Sequence, residues 1–258
     1  MAVDQLGFDA IVLAGGRGAR MRVGASTEVP PVGGAPDGER AQHVDEHNVD
    51  PQRNVDKLLL HVGDLSLLDH ALLAVSAAAV TVVVGPQRPT LHRPTFSRTA
   101  QRPSPEATAD ADLIWTREVP PGSGPASAIV HGLTLVQRPL VAVVAGDMPF
   151  AVTAIPRLLA ALPGHEAAML VDEDERRQPL IAVYVTDTLR ARGATRNWAE
   201  QSVRALVEGL DIAEVSARGV ESLDCDTADD LARARTAVSQ EAAARPQSRR
   251  TPRSRQGR

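Results

Sequence analysis

A chain of 258 residues with 43% apolar content is long enough to bury one good core and short for two full domains, so one decorated domain is expected. It holds no run of about 18 apolar residues and no basic segment leading into a long apolar one, which argues against a membrane span and a secretory signal and predicts a soluble, cytoplasmic protein. The net charge of −4 conceals six arginines and one glutamate in residues 241–258, with −9 on the remainder. A terminus rich in Pro, Ser, Gln and Arg reads as a disordered basic tail over 239–258 rather than as a nucleic-acid arm.

The first element in the chain is a short apolar run over residues 8–14 that stops at Gly15-Gly16, the pattern of a buried parallel strand feeding a tight turn. Similar runs recur at 79–84, 113–116, 140–145, 167–171 and 180–185. Helical spacing separates them, at 66–77, 125–136, 151–162, 202–210 and 227–238. Strands alternating with helices predict an α/β fold, a Rossmann-like doubly wound, mostly parallel sheet with helices on both faces. In such sheets the ligand lies beyond the carboxyl ends of the strands. Two stretches break the rhythm. Residues 22–54 read as a loop insertion, and residues 86–110 repeat its character with five prolines. Within the first, His43 and His47 would share one helix face, but their polar, proline-flanked setting favours a solvated face over a metal site.

Chemistry concentrates at the strand ends. Of 28 basic residues, Lys57 is the only lysine, which marks a place where a compact ammonium serves and a forked guanidinium does not. Leu13, Ala14, Gly15 and Gly16 close the first strand, and such glycines let backbone N–H groups approach a polyphosphate that Arg20 can grip. The segment is neither a GxGxxG turn nor a P-loop. Gly124 and Pro125 open a helix with a smooth backbone against which a base or ribose can lie. Asp147 ends the strand over 140–145, where a carboxylate either holds a cation or caps the next helix. Asp224 and Asp226 flank Cys225, the single cysteine, which reads as a small buried residue.

Together, Leu-Ala-Gly-Gly with Arg20-Met21, Val55-Asp56-Lys57, Gly124-Pro125, Gly146-Asp147-Met148-Pro149, Gln178-Pro179-Leu180 and Asp224-Cys225-Asp226-Thr227 resemble the MobA-like nucleotidyltransferases, which include the molybdenum cofactor guanylyltransferases. The resemblance spans residues 8–238 as one domain, interrupted by the 22–54 insertion. It implies a transferase that moves GMP from GTP to molybdenum-loaded molybdopterin and releases pyrophosphate. Lys57 would be the phosphate-binding lysine and Asp147 a Mg²⁺ ligand, completed by Asp224 or Asp226, between which the sequence does not choose. Gln178 and Pro179 would face the acceptor. Ser123 stands where the family has a glycine, a departure in the base-binding segment. Use of CTP or another phosphorylated acceptor, and a nucleotide-binding module without catalysis, remain the competing readings. Nothing in the pattern calls for an assembly beyond a monomer or weak oligomer.

Overall fold

The computed structural model describes residues 7–15, 20–22, 54–88 and 112–244. Gly16, the His43 and His47 pair, most of the 22–54 and 86–110 stretches and the chain beyond 244 lie outside the described residues. In chain order the elements are β1 (Phe8–Leu13), β2 (Arg20–Arg22), β3 (Asn54–Asp56), β4 (His61–Val62), β5 (Leu65–Ser66), α1 (Leu67–Ala74), β6 (Val80–Val84), β7 (Asp112–Thr116) and α2 (Pro125–Gly132). They continue with β8 (Leu140–Ala145), α3 (Ala154–Ala161), β9 (Ala167–Val171), β10 (Arg177–Val185), α4 (Thr186–Gly193), α5 (Val203–Val207), β11 (Ile212–Ser216) and α6 (Ala228–Ala244).

Seven strands form one sheet in the order β11-β9-β10-β8-β1-β6-β7. Pairs along β8-β1-β6-β7 are parallel, as is β9 with β11, whereas β10 runs antiparallel to both its neighbours. The mostly parallel sheet expected from the alternating pattern is therefore present, with one strand reversed. The reversal has a local cause. Asp172 folds the chain back between β9 and β10, its Oδ1 accepting from the backbone N–H groups of Asp174 (3.0 Å) and Arg176 (2.8 Å). Aspartate closes turns in this way because its short side chain reaches its own backbone two residues on.

Alternation along the central strands sends side chains to two layers. Ala10 and Val12 of β1 and Ala142 and Val144 of β8 pack with Leu68 of α1 and Ile155 and Leu158 of α3. Ile11 and Leu13, with Val141 and Val143, face Ile129 of α2, Leu189 of α4 and Leu206 of α5. Burial of each such Leu or Ile contributes roughly 1.5–3 kcal/mol, which makes these central strands the rigid part of the molecule.

A third cluster, of Val62, Leu67, Leu223, Cys225, Leu231 and Ala234, docks α6 beside the β4-β5 hairpin. It fixes the position of the segment that carries Asp224 and Asp226.

Helix bounds follow their caps. Ser66 and Asp69 form a reciprocal capping box that starts α1. The apolar pattern over 151–162 resolves into a single 3₁₀ turn (Ala151–Thr153) and then α3. Starting α3 at Ala154 puts Pro156 in the first turn, where its missing N–H has no intrahelical partner to lose. The last helix continues past Val238 to Ala244, through Gln240, Glu241 and alanines that favour helix. None of the described helices is long and apolar enough to cross a membrane.

Candidate active site

Three parallel strand ends sit shoulder to shoulder and form the floor of a cleft. The Ala14 N–H donates to Val84 O (2.8 Å) and the Gly146 N–H to Leu13 O (2.9 Å), tying β6 and β8 to β1 just beyond their last residues. Gly85 is required by this approach, since a Cβ there would lie 2.4 Å from the Ala14 carbonyl.

Lys57 reaches the floor from a neighbouring turn. In the antiparallel β2-β3 pair, Arg20 lies opposite Asp56 along the backbone. The Asp56 side chain then accepts from Leu58 N–H (3.1 Å), capping the single 3₁₀ turn Lys57–Leu59. Arg88, 5% exposed, clamps this turn to the first strand. Its Nε and Nη2 donate to the two Asp56 carboxylate oxygens (2.9 and 3.2 Å), and its Nη1 donates to Ala14 O (2.8 Å). The forked guanidinium suits this work, because three donors are needed at fixed angles.

Lys57 itself is 3% exposed, and its Nζ donates to Asp147 Oδ2 (2.7 Å) and Asp226 Oδ1 (2.6 Å). Burial works to lower its pKa, but Asp147 and Asp226 outweigh that by charge and hydrogen bonding and hold it above the ordinary lysine value. The Cys225 N–H donates to Asp147 O (3.1 Å), which brings the 224–226 segment against the end of β8. Asp224 lines the same cleft, and burial, then the charges of Asp226 and Asp147, push its pKa up. Burial likewise raises the Cys225 thiol to about 12, the state of an unreactive packed sulfhydryl.

The cleft above these groups measures about 450 Å³ and is lined by Leu13 and Gly15, by Lys57, Asp147, Asp224 and Asp226, and by Glu118, Gly122, Gly124 and Pro125. Gly124 holds a φ of 95°, which suits glycine, and serves as the N-cap of α2 with Pro125 at the first position. Glu118, 6% exposed, accepts the Gly122 N–H at Oε1 (2.8 Å). The cleft lining thus includes carboxylates bridged by an ammonium and a further carboxylate bonded to a glycine N–H.

Of the residues singled out in the sequence, Leu13, Gly15, Lys57, Gly124, Pro125, Asp147, Asp224 and Asp226 line one cleft, with Ala14 bonded to its floor. Gln178 and Pro179 do not line it. The Gln178 Nε2 donates to Asp172 Oδ2 (2.7 Å), and Pro179 lines a second cavity with Arg176, Arg177 and Arg204, while Leu180 faces the first. Arg88 and Glu118 escaped the sequence reading. Glu118 stands beside the glycine-proline segment and was legible as a charge next to a binding motif, whereas Arg88 is one arginine among many in a proline-rich stretch.

Among the described residues no group of three or more His, Cys, Asp or Glu side chains forms a ready metal cage. The donors nevertheless fit Mg²⁺, which is held through one or two carboxylates together with substrate phosphates and water. Asp147 and Asp226 are hard oxygen donors with side chains 22% and 63% exposed, and with Asp224 they exceed the single Lys57 charge by two.

A doubly wound sheet whose strand-end cleft pairs a lysine with carboxylates has an architecture suited to holding a nucleotide and its cation. The chain belongs to the MobA-like NTP transferase family, whose model matches residues 10–215. Asp224 and Asp226 fall just beyond that match. No curated protein matches the chain in sequence.

Solved structures agree in fold. A nucleotidyl transferase from Methanothermobacter thermautotroptrophicus superposes with a TM-score of 0.61 at 18% identity, covering 92% of this chain and 99% of that one. The molybdopterin-guanine dinucleotide biosynthesis protein A from Archaeoglobus fulgidus gives 0.53 at 18% identity, covering 90% and 100%. A 2-C-methyl-D-erythritol 4-phosphate cytidylyltransferase from Thermus thermophilus gives 0.53 at 16% identity, covering 91% and 100%.

Proposed function

We propose that this protein is a cytoplasmic guanylyltransferase that moves GMP from GTP to molybdenum-loaded molybdopterin. The observation that carries the reading is the juxtaposition of Lys57 with Asp147 and Asp226 at the floor of the strand-end cleft. A phosphate oxygen of the acceptor attacks the α-phosphorus of GTP in line. A new oxygen–phosphorus bond forms as the bond to the bridging oxygen breaks, and pyrophosphate leaves. The attacking oxygen of a phosphate monoester is already ionised near neutral pH, so the reaction needs no general base.

Positioning and charge supply the catalysis. Gly15, just beyond β1, lies against the triphosphate and Lys57 offsets the charge that grows on departing pyrophosphate, while the sequence motif adds Gly16 and Arg20 as further phosphate contacts. Asp147, with Asp226 or Asp224, holds Mg²⁺, which when bound polarises the phosphoryl oxygens. The acceptor approaches along Leu180, the residue of the Gln178-Pro179-Leu180 segment that lines the cleft. Glu118 supports guanine as the base: one carboxylate can accept from two adjacent N–H groups, a pair guanine presents and cytosine, adenine and uracil do not.

The test is pyrophosphate release with Mg²⁺ and loaded molybdopterin across GTP, CTP, ATP and UTP. GTP is expected to be turned over preferentially, and Lys57→Ala is expected to lower turnover by roughly a hundredfold or more. Turnover with CTP in preference to GTP would overturn the choice of nucleotide, and unchanged turnover in Lys57→Ala would remove that residue from the mechanism.

A further inference from the structure

The cation position between Asp147 and Asp226 has an internal occupant. The Lys57 ammonium sits 2.7 Å from an oxygen of one and 2.6 Å from an oxygen of the other, spending two of its three donors. Its stem is buried and rises from the 57–59 turn, which Asp56 and Arg88 fasten, so the head is delivered to this part of the cleft. A divalent ion bound to the same two oxygens at about 2.0–2.1 Å would lie within a few ångströms of the ammonium, where the two positive charges repel strongly.

We infer that Lys57 competes with the divalent metal for Asp147 and Asp226, and that the triphosphate relieves the competition by giving the displaced ammonium new oxygen partners. Metal and nucleotide are therefore bound as a pair, each poorly without the other. The coupling is reciprocal by thermodynamic necessity, so whatever nucleotide does for metal affinity, metal does equally for nucleotide affinity. Free metal would fill the site only at concentrations well above those that suffice with nucleotide, and a bare triphosphate would meet three aspartates offset by one ammonium. The inference rests on the reading of these aspartates as metal ligands, although its test needs neither nucleotide nor acceptor.

The first measurement is Mn²⁺ binding to the nucleotide-free full chain, read from the free-ion electron paramagnetic resonance signal. Lys57→Met is expected to bind Mn²⁺ about tenfold more tightly than the unsubstituted protein, both at about 0.05 M and at about 0.5 M KCl, because competition at contact distance is poorly screened whereas a general charge effect fades with salt. Equal or weaker binding by Lys57→Met, or a gain that vanishes at the higher salt, would overturn the inference.

A second measurement uses the unsubstituted protein and stands if the variant does not fold. Lys57 is the only lysine, so labelling with lysine bearing ¹⁵N at Nζ yields a single side-chain ammonium resonance. It is expected to be slowed in solvent exchange by its two carboxylate partners, and to lose that protection as Mg²⁺ alone is raised to saturation. A protected signal indifferent to saturating Mg²⁺ would show that ammonium and metal do not contend for the same oxygens. Failure of the proposed enzyme activity would appear separately, as absent pyrophosphate release.

Discussion

Replacing Arg88 by methionine removes the clamp between the first strand and the lysine turn while keeping a stem of similar length. The loss can be worked from the contacts. Two charge-assisted hydrogen bonds to Asp56, one to the buried Ala14 carbonyl and one to the Pro86 carbonyl disappear, and the Ala14 oxygen keeps no guanidinium donor in their place. Breaking a buried ion pair by deleting one partner costs about 3–5 kcal/mol, and a stranded buried acceptor alone costs about 1–3 kcal/mol. The Asp56 side chain is 35% exposed and recovers some hydration, which places the expected loss toward the lower figure, about 3 kcal/mol. For a chain of this size that corresponds to a fall in Tm of roughly 6–12 °C.

Urea unfolding followed by circular dichroism gives the free energy directly, with the slope checked for change. Arg88→Lys is expected to recover less than half of the loss, since an ammonium cannot span both Asp56 oxygens and Ala14 together. A loss below about 1 kcal/mol in Arg88→Met would refute the argument that this side chain holds the two halves of the cleft floor in register.

Three further outcomes are expected. Glu118→Gln replaces a pure acceptor by a mixed group and should lower the preference for GTP over CTP by roughly tenfold to a hundredfold, measured by competition binding. A preference that does not move would remove Glu118 from base selection. Glu221 supplies a pH dependence. Burial pushes its carboxyl up, but hydrogen bonds from Thr153, Arg157 and the Arg218 backbone outweigh this and hold it below the ordinary value of 4.5. A depressed carboxylate contributes stability that is present above that value and is lost as pH falls through the folded-state pKa. Glu221→Gln should therefore flatten the acid limb of a plot of Tm against pH, and an unchanged limb would contradict the sign. Gly85→Ala should cost at least about 2 kcal/mol and impair nucleotide binding, because its Cβ would press on the Ala14 carbonyl at 2.4 Å. Calorimetric titration with GTP beside thermal melting separates the two effects.

The central sheet was legible because β8 and, apart from Asp9, β1 are apolar runs that lead into glycine, the pattern of strands covered on both faces. Lys57 and Asp147 were legible through composition and through position at a strand end. The reversed β10 was not, since a buried apolar strand reads alike in either direction and only the Asp172 turn decides it. Neither α4 nor β11 was visible: α4 is polar along much of its length, and β11 is a half-exposed edge strand without clean alternation. Arg88 was hidden for another reason. Asp56 and Ala14, the partners that make it a clamp, lie 32 and 74 residues away, and no local pattern reports a contact at that distance.

The hydrogen bonds from Lys57 reach across 90 residues to Asp147 and 169 to Asp226. As the chain emerges from the ribosome, the glycine turn and the lysine come out early, the first aspartate midway, and the second only when the final helix is about to follow. A nascent or truncated chain lacking that last stretch would own all seven strands of the main sheet and a Lys57 with one of its two carboxylate partners missing, so the same late-docking segment that joins α6 to the body also closes the floor of the cleft.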